Sequence, residues 1–410
     1  MKKLLLVLLI LSLFINHLNA NEKDLNIIQK DKKEYRLLDK ESIQTRQQSQ
    51  KYDWISPIDL SGNIGRNHSF SDENSRNLNN KNTKSASIGF TQSIFESGGI
   101  GFKMDYADNR FKYEMLSWEN QNSQLIYTIY NTLLDIKKLN LEIKQNEYRI
   151  VNKDIELIIK KIQYEAGKTD IIELNNAIMS KNLILKEEIA LKNSLKEKEQ
   201  ELAKYTDLKY DEIEILDFQE TNKDIFLDKN YSILEADAKV EMLNSEYKIK
   251  KSQYLPKLSL SAKASYSNQD EKFNSMINDT NKDDASSSGS LILSMPLYDY
   301  TKSSKVQESK IEVLKQKALV NDLKNETAFE YEQIFTKIDT YLKQNETINK
   351  NIKLYEELIG ANQISSEAGM TSKYDLEILE NTKTINEFDI LINKINILQQ
   401  YAKLYFKIKN

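Results

Sequence analysis

The two histidines, His17 and His68, are the first places to look for acid–base or metal chemistry, and neither is placed to perform it. His17 falls in an N-terminal apolar stretch, and His68 stands at the end of an alternating segment between Asn67 and Ser69. With no cysteine, thiolate chemistry, disulfides and sulfur-ligated metals are closed. No HExxH, P-loop or GxSxG pattern occurs. Carboxylates are plentiful, but clusters such as Lys186-Glu187-Glu188 read as helix-surface charge. Asp375, Glu377 and Glu380, just after a glycine turn, read on residue type alone as a solvated helix face. No enzyme, cofactor or metal site is expected. A net charge of -4 without a basic stripe gives no reason to expect a nucleic-acid partner.

The elements that carry these residues are mostly helical. Three prolines and ten glycines in 410 residues leave room for long uninterrupted helices. At the N-terminus, Lys2 and Lys3 precede the apolar run Leu4–Ile15, and Asn19-Ala20 supplies a small residue at a cut. This reads as a signal peptide over 1–20. The run falls short of the ~20 residues of a spanning helix, which favours cleavage over a retained anchor. No later segment offers an 18-residue apolar run, so any membrane crossing by the mature chain must use strands.

The sequence repeats itself. Trp54-Ile55-Ser56-Pro57-Ile58-Asp59-Leu60-Ser61 is echoed by Tyr254-Leu255-Pro256-Lys257-Leu258-Ser259-Leu260-Ser261, and Glu165-Ala166-Gly167 by Glu367-Ala368-Gly369. Landmarks at near-constant separation predict two copies of one module, 21–212 and 213–410. Each copy pairs a hairpin (54–95, 254–298) with a long helix (102–164, 302–365) and a return helix (170–205, 373–408). Leu258, Leu260, Ala262, Ala264 and Tyr266 alternate with serines and Lys263, the period of a strand with one apolar face. The polar stretches 71–84 and 269–288 read as solvated loops. Ile129, Ile136, Ile143, Ile150, Leu157 and Tyr164 fall on a seven-residue step, and Ile334, Ile338, Tyr341, Asn345, Ile348, Ile352, Tyr355 and Ile359 on a four-three step. Both are coiled-coil seams. About 60 residues at 1.5 Å rise give a rod of roughly 90 Å.

Four strands alone would leave unpaired backbone groups at a membrane edge, each costing several kcal/mol. Closed barrels begin at about eight strands. Membrane insertion therefore demands that copies share a barrel, and three copies give twelve strands. A four-stranded sheet covered by helices in a soluble protein, a periplasmic adaptor with a β-rich remainder, and a coiled-coil rod stay open as alternatives.

The ordered set YLPKLSLSAKASYSN (254–268), TQSIFESGG (91–99), LSMPLYDYTKSSKV (293–306), YEAGKTDIIEL (164–174) and EAGMTSKYDLEIL (367–379) resembles the TolC family of outer-membrane efflux and secretion proteins, over roughly 54–408. The resemblance implies a mainly α fold: a homotrimer with a shared twelve-stranded barrel in outer-membrane lipid and a periplasmic α-barrel tunnel. It implies passive exit for substrates delivered by an inner-membrane pump through a periplasmic adaptor (membrane fusion) protein. It also implies a gate at the periplasmic entrance, here Asp375 with Glu377; Ile378 occupies the position of the family's second acid. Adaptor docking is implied at the tips, around Ala166, Gly167 and Lys168 and around Ala368, Gly369, Met370 and Thr371. Phe95 and Tyr298 read either as hydrophobic plugs of the strand–helix corners, the favoured reading, or as interfacial aromatics anchoring the barrel rim. One departure is plain: 21–53 lacks the small-residue packing of 231–252.

Overall fold

A computed structural model describes residues 24–69, 79–216, 218, 220–271, 280–367 and 372–409. Residues 1–20, expected as a signal peptide, and Ala368 to Thr371, expected as the second tip, lie outside them. After a 3-10 turn at Asp24–Ile27, the elements run α1 (Lys30–Tyr52), β1 (Asp59–Ser69), β2 (Asn79–Phe95), α2 (Gly99–Glu165) and α3 (Ile171–Leu202). They continue with α4 (Lys223–Asp228), α5 (Tyr231–Ser252), β3 (Lys257–Glu271), β4 (Thr280–Ser294), α6 (Lys302–Glu367) and α7 (Lys373–Tyr405). The fold is mainly α with one small antiparallel sheet. Among the described residues no helix is long and apolar enough to cross a membrane.

The chain divides into two compact units. One comprises the chain up to Lys40 with Leu116–Leu234 and Asn321–Asn410. Its apolar core is helical: Ile129, Leu133, Leu134 and Ile136 of α2 are fully buried. A second cluster joins Phe226 of α4, Ile334 and Ile338 of α6, and Leu404 and Ile408. The C-terminal segment is pinned by backbone bonds, Tyr231 N–H to the Lys407 carbonyl at 2.9 Å and Lys409 N–H to the Lys229 carbonyl at 2.8 Å. An aromatic group of Tyr130, Phe218 and Phe406 packs above it at centroid distances of 5.5 to 5.9 Å.

The start of α1 docks in this unit through polar groups. Buried Arg36 donates to Asn122 Oδ1 at 2.6 Å and to the Trp118 carbonyl at 2.8 Å, and Trp118 Nε1 donates back to the Arg36 carbonyl at 2.8 Å. The guanidinium also lies over the indole, 5.6 Å from its centroid. Burial holds the Arg36 pKa below its ordinary value, with Asp39 opposing that shift. A helix without small-residue packing is thus seated by a reciprocal arginine–tryptophan bond.

The other unit comprises Glu41–Met115 and Glu235–Val320 and contains the whole sheet, in the order β1-β2-β3-β4. Here the remainder of α1 is held by Gln47 and Lys51 on Asp108 and by Arg46 on Glu114. The strands reach further than the apolar alternation, because β2 starts at Asn79, β3 ends at Glu271 and β4 starts at Thr280. Parts of the stretches expected as loops are therefore strand. Strand pairing is satisfied by backbone groups, which polar residues supply as well as apolar ones.

Candidate functional site

The register sorts the sheet residues onto two faces. Leu60, Ile88, Ala264 and Ser287 stand in one row, and Leu260 faces Leu291 in another. This face carries Leu60, Ile64, Ile88, Tyr266, Leu291 and Leu293, all exposed, with Ile64 at 84%. The opposite face carries hydroxyls joined across the strands, with Ile292 opposite Ser259. Ser61 meets Ser87 at 2.8 Å, Ser265 meets Ser286 at 2.8 Å, Thr91 meets Ser261 at 3.1 Å and Ser93 meets Ser259 at 3.3 Å. Lys263 stands on the hydroxyl face opposite Gly89. A Cβ at position 89 would come within 3.0 Å of the Ala262 carbonyl and 3.3 Å of Lys263 Cβ, so the glycine permits the close approach.

β1 and β4 form the two margins, each paired along one side only in this sheet. An apolar face turned outward and two open margins form a surface that single-chain folding leaves uncovered.

The turn from β2 into α2 is fixed tightly. Ser97 and Gly98 take positive φ of 51° and 88°, and Ser97 Oγ donates to the Pro256 carbonyl at 2.7 Å. Burial pushes the Glu96 carboxyl up, but Lys103 at 2.9 Å, with Ser93 and Lys257, outweighs that and holds it below the usual carboxylate value. The two aromatics expected to plug the corners do not do so within the chain: Phe95 is 52% exposed and Tyr298 85%. Leu297 and Tyr300 beside Tyr298 are exposed too, so this corner presents an apolar surface instead of filling one.

At the first helical tip, Gly167 has φ of 66°. Lys168 N–H reaches the Gln163 carbonyl at 2.8 Å and Gly167 N–H the Tyr164 carbonyl at 2.9 Å, the paired bonds of a Schellman motif. Ala166, Gly167 and Lys168 are all exposed. Asp170 then caps α3 by accepting from Glu173 N–H at 2.9 Å. At the second tip Ser372 and Asp375 form a capping box around the start of α7. Asp375 and Glu377 are both exposed. The Ser-x-x-Asp spacing of 372–375 is a sequence signal for this cap, and it gives Asp375 a structural task whatever else it does. Among the described residues no cluster could hold a metal.

Residues 224–403 match the family model described as outer membrane efflux protein. This part of the chain is an outer membrane efflux protein domain. Solved channels share the architecture over about nine-tenths of the chain. The CmeC outer membrane channel of Campylobacter jejuni aligns with a TM-score of 0.68 at 12% identity, over 92% of this chain and 84% of that one. The outer membrane protein VceC of Vibrio cholerae aligns at 0.68 and 13% identity, over 91% and 93%. The open state of the MtrE outer membrane channel of Neisseria gonorrhoeae aligns at 0.66 and 11%, over 91% and 85%. No curated protein sequence matches the chain. At these identities the alignments establish a TolC-like fold, and the family that residues 224–403 match is one of transport proteins.

Proposed function

We propose that three copies join their sheets margin to margin into one twelve-stranded barrel in the outer membrane, with the helices continuing as a periplasmic tunnel. The assembly gives passive exit to substrates delivered by an inner-membrane pump through a periplasmic adaptor. One observation carries the reading: a four-stranded sheet with open margins exposes its aliphatic face and pairs its hydroxyls on the other. In a closed barrel the aliphatic face meets lipid and the hydroxyls line a wet lumen. Along β3 the apolar face runs from Leu258 to Tyr266, about 27 Å at strand rise. Outer-membrane barrels carry an apolar band of roughly 25 Å.

On this reading Asp375, with Glu377, lies at the periplasmic entrance. There three inward carboxylates would repel one another and favour cations over neutral solutes. Ala166, Gly167 and Lys168, with Ala368 to Thr371, form the tips that meet the adaptor. The test is fractionation followed by native mass determination and bilayer conductance of the extracted protein. A trimer from the outer membrane that conducts supports the reading, and replacing Asp375 with alanine is expected to reduce its cation preference. A soluble periplasmic monomer would sink it.

A further inference from the structure

In the unit that holds Leu116–Leu234 and Asn321–Asn410, polar contacts string four helices in the order α3, α2, α7, α6. Lys181 of α3 pairs with Asp154 of α2 at 2.5 Å, and Lys383 of α7 pairs with Glu356 of α6 at 2.9 Å. These are one ion pair seen twice. Both of its members shift by 202 positions, as does the Glu-Ala-Gly of the tips. The chain therefore contains two copies of one long-helix and return-helix pair.

Among the described residues, the two copies of this helix pair meet along a seam where the long helix α2 of the first lies against the return helix α7 of the second. Gln145 Nε2 donates to the Ile385 carbonyl at 2.9 Å and to Asp389 at 2.6 Å. Asn152 Nδ2 donates to Thr382 Oγ1 at 3.2 Å, and Gln399 Nε2 to Asp135 at 2.7 Å. The repeat relation has a counterpart to this seam, the long helix α6 against the return helix α3. Those two helices are the outer members of the order, so their outward faces are available to another copy.

Moving each contact by 202 positions names the residues that would meet. Asn152 with Thr382 becomes Leu354 with Ser180, Gln145 with Ile385 becomes Thr347 with Leu183, and Asp135 with Gln399 becomes Lys337 with Glu197. Leu354 and Leu183 are 57% and 66% exposed, large aliphatic side chains turned to solvent. Lys337 and Glu197 are exposed and opposite in sign, and neither makes an ion pair with a described residue. The amide seam within the chain thus has an apolar, charge-complementary counterpart on its outer faces.

We propose that α6 of one copy docks on α3 of the next in this register, with Leu354 beside Ser180 and Lys337 beside Glu197. The contact joins two different faces, so each copy offers both and successive copies can close a ring. The proposal rests on the multi-copy channel reading and adds to it the pairing of helices and residues.

The absence of cysteine makes the test clean. Full-length protein carrying Leu354→Cys and Ser180→Cys together, oxidised by copper phenanthroline in outer-membrane extracts, is expected to run as covalent oligomers on a denaturing gel and to revert with reductant. Either substitution alone is expected to stay monomeric there, and co-expressed single variants to give dimers and nothing larger. A native trimer that fails to cross-link overturns the register and leaves the channel reading standing, and so does a cross-link formed by either single variant. A wild-type monomer by native mass overturns both. Independently, Lys337→Glu is expected to lower the temperature at which the oligomer dissociates, and Glu197→Lys in the same chain to restore it. Absence of restoration removes that pair.

Discussion

Leucine and isoleucine do opposite things in two parts of this molecule. In the helical core Leu133 and Ile136 are fully buried, whereas in the sheet Leu60 and Ile64 are among the most exposed of the described large apolar residues. The helices bury an apolar core within one copy, with Leu183 of α3 and Leu354 of α6 left exposed, while the aliphatic face of the strands stays exposed. A core that closes on itself stabilises the fold. An aliphatic face left outside marks where the chain expects a different solvent or a sister copy.

The sharpest way to break that contrast is to cut into each side of it. Leu133→Ala should cost about 2–5 kcal/mol in denaturant unfolding of the extracted protein, since a fully buried leucine leaves a cavity behind. Ile64→Ala should change the same measurement by no more than about 0.5 kcal/mol, as for ordinary surface positions. A loss at Ile64 comparable to that at Leu133 would mean the sheet is packed after all.

A charge on the sheet should discriminate its faces. Leu60→Arg is expected to cost about 2–4 kcal/mol of membrane stability per copy near the bilayer midplane, and to deplete the outer-membrane fraction. Its neighbour Ser61→Arg points the other way and should leave membrane insertion intact while altering ion selectivity. Equal loss of insertion from both would abolish the distinction between the faces.

Smaller effects sharpen the helical side. Gly167→Ala places a Cβ at positive φ with no atom within 4 Å of it, so only backbone strain of about 1–2 kcal/mol is expected. Glu330 pairs with Lys403 at 2.8 Å and with Lys407. Burial raises its pKa, but the two lysines outweigh that and leave it below the ordinary value. Its stabilisation is therefore complete above the unfolded value of about 4.3 and fades as pH falls through the lower folded value. Glu330→Gln should flatten the acid limb of a stability–pH profile and narrow the gap to wild type below that limb.

Much of this was legible from periodicity. The seven-residue step at Ile129, Ile136 and Ile143 marks residues that are buried in α2, and Ile334 and Ile338 are buried in α6. The period-two alternation of β3 separates its aliphatic from its hydroxyl residues as the register does. Strand ends were not legible, because the asparagines and lysines beyond the apolar rows contribute backbone bonds that no hydropathy pattern records. Nor was the seating of α1, since Arg36 and Trp118 are 82 positions apart and neither is unusual alone. At the second tip the Ser372–Asp375 spacing was present in the sequence, but the carboxylate drew attention as charge instead of as a helix cap.

The reciprocal bond between Arg36 and Trp118 has an experimental consequence. The chain holds two tryptophans, Trp54 and Trp118, and one belongs to each compact unit. Trp118 is 3% exposed, while Trp54 is half-buried near the foot of the sheet. Intrinsic fluorescence therefore offers a native reporter for each unit, and replacing one indole with phenylalanine at a time would let the helical core and the sheet region be watched separately as they melt.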